Sequence, residues 1–83
     1  MFAFDKDKIN NYAKAYGVKI EYNWNKDIDG YEFQLEKGMW KEMFIISRLD
    51  LDRSNVPESY FYEHVFMHIR DISKAGYTLE GLL

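Results

Sequence analysis

The hydrophobic period of this sequence changes twice along the chain. Apolar residues recur first at helical spacing, then at every second position through two successive segments, then on both sides of a third extended segment, and then at helical spacing again. Segments of period 2 separated by Gly-containing turns are typical of antiparallel strands. The order predicts a helix, a three-stranded antiparallel meander and a second helix, which is an α+β fold of the type αβββα. A chain of 83 residues has room for one domain, residues 1–83.

The two predicted helices have recognisable ends. The first begins after Asp5, an N-cap residue, and ends at Gly17, which can adopt the left-handed conformation. The second is predicted from an N-cap at Asn55 to a stop at Gly76. The apolar face of the first helix is Ile9, Tyr12, Ala13 and Tyr16, and that of the second is Phe61, Tyr62, Val65, Phe66, Ile69 and Ile72. A short C-terminal helical turn with Leu79, Leu82 and Leu83 on one side can then dock on the core.

The third predicted strand, residues 39–49, is apolar on both faces. Phe44 and Ile46 alternate with Met43 and Ile45. In a three-stranded sheet covered by one helical layer, the second face of this strand meets solvent unless something covers it. Three candidates could cover this second face: the C-terminal tail, a second copy of the chain, or a partner. A β-bulge near Glu42 would also rotate the pattern.

The composition favours a soluble, cytoplasmic protein. The net charge is −3, Lys and Arg are scattered singly, and no cysteine is present. The absence of cysteine excludes disulfides and thiolate metal sites. No basic segment followed by a long apolar run marks a signal peptide, and no apolar run is long enough to cross a membrane. An acidic chain without clustered positive charge argues against nucleic-acid binding as the leading function.

Two segments have some features of metal sites. Residues 25–36 resemble an EF-hand calcium loop, with Asn25, Asp27 and Asp29 at positions one, three and five, Gly30 at six and Glu36 at twelve. The strand-like flanks favour a hairpin turn instead. His64, His68 and Asp71 share one face of the second helix, although their order is not that of a zinc protease. We expect two solvated or boundary histidines, no metal site and no cofactor.

Two other groups of residues suit contact with a protein. Tyr60, His64 and Met67 project away from the apolar arc of the second helix, and exposed aromatic and Met side chains are enriched in interfaces. In a meander, the first hairpin and the end of the third strand lie at the same end of the sheet. This arrangement predicts an acidic sheet end, which we define as Asp27, Asp29, Asp50 and Asp52.

Nothing in the sequence indicates an enzyme. No serine lies in a nucleophile-elbow motif, no Gly-rich phosphate loop is present, and a chain of this size has little volume for a deep pocket. We therefore expect a domain that binds rather than catalyses.

The αβββα order resembles that of the double-stranded RNA-binding domain. That family holds phosphates with lysines at the start of its second helix, whereas residues 56–61 here contain none. In topology and acidity the chain is also similar to some phage-encoded inhibitors of CRISPR nucleases. These small acidic proteins occupy the site at which the nuclease would hold DNA. That resemblance implies a surface that mimics DNA.

We therefore expect a non-enzymatic protein-binding module, an inhibitor or regulator of the kind that phages and mobile elements encode, acting on a partner with a basic surface. The candidate contact residues are Tyr60, His64 and Met67, together with the acidic sheet end. A self-associating domain that forms a homodimer, a nucleic-acid-binding domain and a weak metal-binding protein are the alternatives.

Overall fold

A computed structural model describes the backbone of residues 4–82 and the side chains as far as residue 74. The chain forms α1 (Lys6–Ala15), β1 (Lys19–Asn25), β2 (Gly30–Lys37), β3 (Trp40–Ser47), α2 (Arg48–Arg53) and α3 (Pro57–Leu82). The strands form one antiparallel sheet in the order β1-β2-β3, so that β1 and β3 are its edges. The predicted αβββα fold is confirmed, with one additional short helix.

The ends of α1 are those expected from its sequence. The carboxylate of Asp5 accepts hydrogen bonds from the backbone N–H groups of Asp7 and Lys8. At the other end Gly17 has a φ of 69°, its N–H donates to Lys14, and the N–H of Val18 donates to Ala13. This pair of bonds is the Schellman motif, in which a left-handed residue ends the helix.

One face of the sheet, the inner face, packs against α1 and α3. Phe33 and Leu35 of β2 and Phe44 and Ile46 of β3 are buried there. The stacked rings of Phe33 and Phe44, whose centroids are 4.9 Å apart, lie at its centre. The helices contribute Ile9, Ala13, Phe61, Tyr62, Val65, Ile69 and Ile72 to the same core. The predicted apolar arc of the second helix is thus buried, except that Phe66 is only partly covered.

Three predicted boundaries are wrong. The third strand ends at Ser47 rather than at residue 49, and residues 48–53 form α2 where the end of that strand and a loop were expected, because the Ser47 and Asp50 side chains build a reciprocal capping box at the start of α2. The second long helix begins at Pro57 rather than after Asn55, since proline suits the first helical position. That helix also continues through Gly76 to Leu82, so the C-terminal turn is part of α3. The expected docking of Leu79, Leu82 and Leu83 lies outside the described side chains.

Regular pairing along the whole of β3 makes the proposed bulge unnecessary. Its register against β2 runs without interruption from Gly30 opposite Ser47 to Lys37 opposite Trp40. Glu42 therefore belongs to the inner face together with Phe44. The turn between these strands consists of Gly38 and Met39, and a φ of 60° at Gly38 accounts for the glycine.

Candidate functional site

The sheet has an outer face, opposite the helices, that carries an exposed apolar pair. Met43 and Ile45, which we call the outer apolar pair, are 63% and 44% exposed. They alternate with the buried residues Phe44 and Ile46, so the side chains of β3 are apolar on both faces. As the sequence predicts, one face of this strand is buried and the other carries apolar side chains that are exposed to solvent.

The two edges of the sheet differ in chemistry. On the outer face, β1 carries the exposed polar residues Lys19, Glu21 and Asn23. At the corresponding centre of β3, the outer face carries Met43 and Ile45 instead. Edge strands are usually protected by charge, because their unpaired backbone groups can pair with another chain. The β1 edge has this protection, whereas the centre of β3 lacks it.

Charged and polar residues of β2 border the outer apolar pair. Glu32 lies opposite Ile45, Gln34 opposite Met43, and Glu36 opposite Lys41. An open depression of about 390 Å³ extends across the outer face of the three strands, at the end of the sheet that carries Lys19 and Lys41. Its lining includes Lys19, Glu21, Gln34, Glu36, Lys41 and Met43. The outer face thus combines a small apolar centre with charges of both signs.

Of the three candidate contact residues on the second helix, only Met67 is exposed, at 40%. Tyr60 and His64 are half-buried, and Tyr60 packs against the core. The ring of His64 lies 5.6 Å from that of Tyr60 and 5.6 Å from that of Phe44. Burial, followed by the neighbouring His68, lowers the pKa of His64, while Asp50 acts in the opposite direction. The three residues therefore lie on one side of α3 but differ in access to solvent.

Glu42, His64 and His68 form what we call the histidine cluster, between β3 and α3. Nδ1 of His68 is 2.5 Å from Oε1 of Glu42. The His68 ring stacks on Phe44 at 4.0 Å with an interplanar angle of 10°, and it lies 4.9 Å from the His64 ring. Glu42 could have been noticed in the sequence, because it occupies an inner-face position among apolar residues, and an inward carboxylate needs a partner.

The candidate metal set on the second helix is not assembled as a site. His64 and His68 are adjacent, but His68 contacts Glu42, whereas Asp71 is exposed. Among the residues that the structure describes, no group of three His, Cys, Asp or Glu side chains is arranged to hold a metal ion.

Residues 25–36 form a β-hairpin rather than a calcium loop. Residues 26–29 are the turn, and Glu36 lies well along β2, opposite Lys19 and Lys41. The side-chain oxygen of Asn25 accepts from the N–H of Asp27, and its amide donates to Glu32. Asn25 therefore stabilises the turn, which is the structural role expected of this residue type.

The first hairpin and the start of α2 meet at one end of the sheet, as the meander predicts. The N–H of Arg48 donates to the carbonyl oxygen of Asp29 at 2.8 Å, and the Arg48 guanidinium lies 3.5 Å from the Asp29 carboxylate. Asp50 accepts hydrogen bonds from Ser47. The four aspartates of the acidic sheet end are all exposed. Two of them also have structural partners: the cation Arg48 offsets part of the charge of Asp29, whereas Ser47 is neutral and leaves the charge of Asp50 in place.

Comparisons with known proteins identify no relative of this chain. No protein-family model matches the chain, no curated protein matches it, and no solved structure matches its fold. Within the described residues, no helix is long and apolar enough to cross a membrane.

Proposed function

We propose that this domain is a non-enzymatic protein-binding module whose contact surface is centred on the outer face of β3. The observation that carries the proposal is the exposure of Met43 and Ile45 at the centre of an edge strand. Leaving two large apolar side chains in water forgoes the burial of apolar surface, at about 25 cal/mol per Å². A partner that covers them recovers this free energy.

The edge position gives the partner a second means of attachment. An extended segment can add itself to an open sheet edge through backbone hydrogen bonds, while alternate side chains confer specificity. On β3 the alternate outer positions are Lys41, Met43 and Ile45. The polar outer residues of β1 make that edge a poorer attachment site.

The charge around the outer apolar pair suits a partner with a basic surface. The charges are mixed, but Glu21, Glu32 and Glu36 outnumber Lys19 and Lys41 on the outer face, and the chain carries a net charge of −3. Protein interfaces commonly combine an apolar centre with a polar rim. We therefore propose a small inhibitor or regulator of a basic protein, of the kind that phages and mobile elements encode. The acidic sheet end would assist the approach of such a partner through long-range attraction.

The test is retention of a partner by the immobilised full chain from a native lysate, with and without nuclease treatment. The informative variant is Met43→Thr/Ile45→Thr, which removes the outer apolar pair and keeps residues that favour strands. The matched control is Glu21→Thr/Asn23→Thr, which alters the same face at the opposite edge. We expect a stoichiometric protein that survives nuclease, is lost with the β3 variant and is kept by the control.

Other outcomes would contradict the proposal. Equal retention by both variants would place the contact elsewhere. Loss of all partners after nuclease treatment, with affinity that falls steeply with salt, would indicate nucleic-acid binding instead. Sedimentation of a dimer that the β3 variant converts to a monomer, with no other protein retained, would assign the surface to a second copy of the chain.

A further inference from the structure

The histidine cluster joins two elements that are far apart in the sequence. Glu42 belongs to β3, whereas His64 and His68 lie one turn apart on α3. Nδ1 of His68 and Oε1 of Glu42 are 2.5 Å apart, and the rings of the two histidines are 4.9 Å apart. Both rings also contact the buried Phe44 of β3. The packing of α3 on this strand therefore depends on side chains that can change their charge.

We propose that the histidine cluster is a pH-sensitive contact, which weakens the packing of α3 on β3 when His64 takes up a proton. This inference is independent of the proposed binding function, because it concerns the folded chain alone.

The geometry accommodates one positive charge better than two. When His68 is protonated, the facing carboxylate of Glu42 balances its charge, because an imidazolium and a carboxylate form a charge-assisted pair. A second proton on His64 would place another positive charge beside the His68 ring, in a half-buried position against Phe44. Like charges at this distance, partly removed from water, disfavour the doubly protonated state.

The other charged group that faces His64 comes from α2. Asp50 attracts a proton on His64, but its carboxylate also accepts hydrogen bonds from the N–H and the hydroxyl of Ser47. Burial and His68 outweigh its effect, and the pKa of His64 is lower than the ordinary value. The charged neighbours of the His64 ring are thus His68 on α3 and Asp50 on α2, Glu42 on β3 lies behind His68, and Tyr60 on α3 is a further titratable side chain facing the ring.

The sign of the pH effect follows from this lowered pKa. Between the pKa of His64 in the folded chain and its value near 6.5 in the unfolded chain, the unfolded state binds more protons. Stability therefore rises with pH through this interval. The contribution of His64 is fully present above about pH 6.5 and is lost as the pH falls through the folded pKa.

The first experiment is urea unfolding of the full chain at pH 7.5 and pH 5.5. The variant His64→Phe keeps an aromatic ring beside Phe44 and Tyr60 but cannot take up a proton. His64→Gln is a second variant, in case the phenyl ring packs poorly. We expect the wild-type urea midpoint to fall at the lower pH, and to fall less in either variant. An equal fall in all three proteins would overturn the proposal.

The second experiment separates charge from packing. The ring protons of His64 are followed by NMR as a function of pH in the wild type and in His68→Phe, which removes the neighbouring charge. We expect His64 to titrate below its ordinary value in the wild type and at a higher pH in the variant. An unchanged titration of His64 would mean that the two rings do not communicate through charge, and it too would overturn the proposal.

Discussion

Gly30 of β2 lies so close to β3 that a β-carbon at position 30 would be 2.8 Å from the carbonyl oxygen of Ile46. It would also be 2.9 Å from the Cα of Ser47. Both atoms belong to the backbone, so neither can move aside without disturbing the strand. The glycine that completes the resemblance of residues 25–36 to a calcium loop is therefore required by the packing of two strands.

Replacing Gly30 by alanine should consequently destabilise the domain. The expected loss is about 1–3 kcal/mol of unfolding free energy, the range for groups forced into a well-packed site. Urea denaturation measures it. Gln34→Ala, on the exposed face of the same strand, is the control and should change stability by less than about 0.5 kcal/mol. Equal effects of the two substitutions would contradict the close approach.

Ile45 and Ile46 are adjacent residues of the same type on opposite faces of β3. Ile46 is 1% exposed and Ile45 is 44% exposed. Ile46→Ala should cost about 2–5 kcal/mol of unfolding free energy, the range for buried aliphatic truncations. Ile45→Ala should cost less than half as much, because a partly exposed side chain loses less buried surface and leaves no enclosed cavity. Similar losses in thermal or urea unfolding would mean that the outer face is covered.

Lys37 connects three parts of the fold. Its ammonium group donates to the carbonyl oxygen of Tyr16, at the end of α1, and to the hydroxyl of Ser73 on α3. Lys37→Met keeps the aliphatic chain and removes both hydrogen bonds, so we expect a loss of about 1–2 kcal/mol. Lys41→Met on the outer face is the matched control. If both variants unfold at the same urea concentration, the bridge does not contribute.

The capping box at the start of α2 belongs to the acidic sheet end, and its contribution to stability can be tested. The hydroxyl of Ser47 accepts from the N–H of Asp50, and the carboxylate of Asp50 accepts from Ser47. Ser47→Ala should reduce the unfolding free energy by about 0.5–2 kcal/mol, as for other N-cap residues. Asp52→Ala, in the same helix but outside the box, should have a smaller effect.

The role of the acidic sheet end in binding is best tested at Asp27 and Asp52. Charge reversal at Asp29 or Asp50 would also disturb the contact with Arg48 or the capping box. We expect Asp27→Lys/Asp52→Lys to slow association with a basic partner, most strongly at low salt, because steering acts mainly on the association rate. Surface plasmon resonance with the captured partner measures this rate. Unchanged association at low salt would exclude the acidic end from recognition.

Much of the fold could be predicted because its signals are local. Asp5 and Gly17 define α1, since capping needs only a few consecutive residues. The strands follow from alternation, and their meander brings Asp29 to Arg48. The helix ends were harder to predict. Gly17 has a left-handed backbone and ends a helix, whereas Gly76 has a helical backbone and does not. Glycine costs a helix only about 1 kcal/mol, so its presence alone does not decide the matter.

The sequence by itself determined the order of the two long helices and the three strands, the caps of α1 and the presence of two apolar faces on the third strand. Only the tertiary structure decided which of those faces is open, because that depends on the side on which α1 and α3 pack. It also brought Glu42 to His68, a contact between residues 26 positions apart. Such contacts depend on the packing of whole elements against one another, and no local pattern of residue types encodes that arrangement.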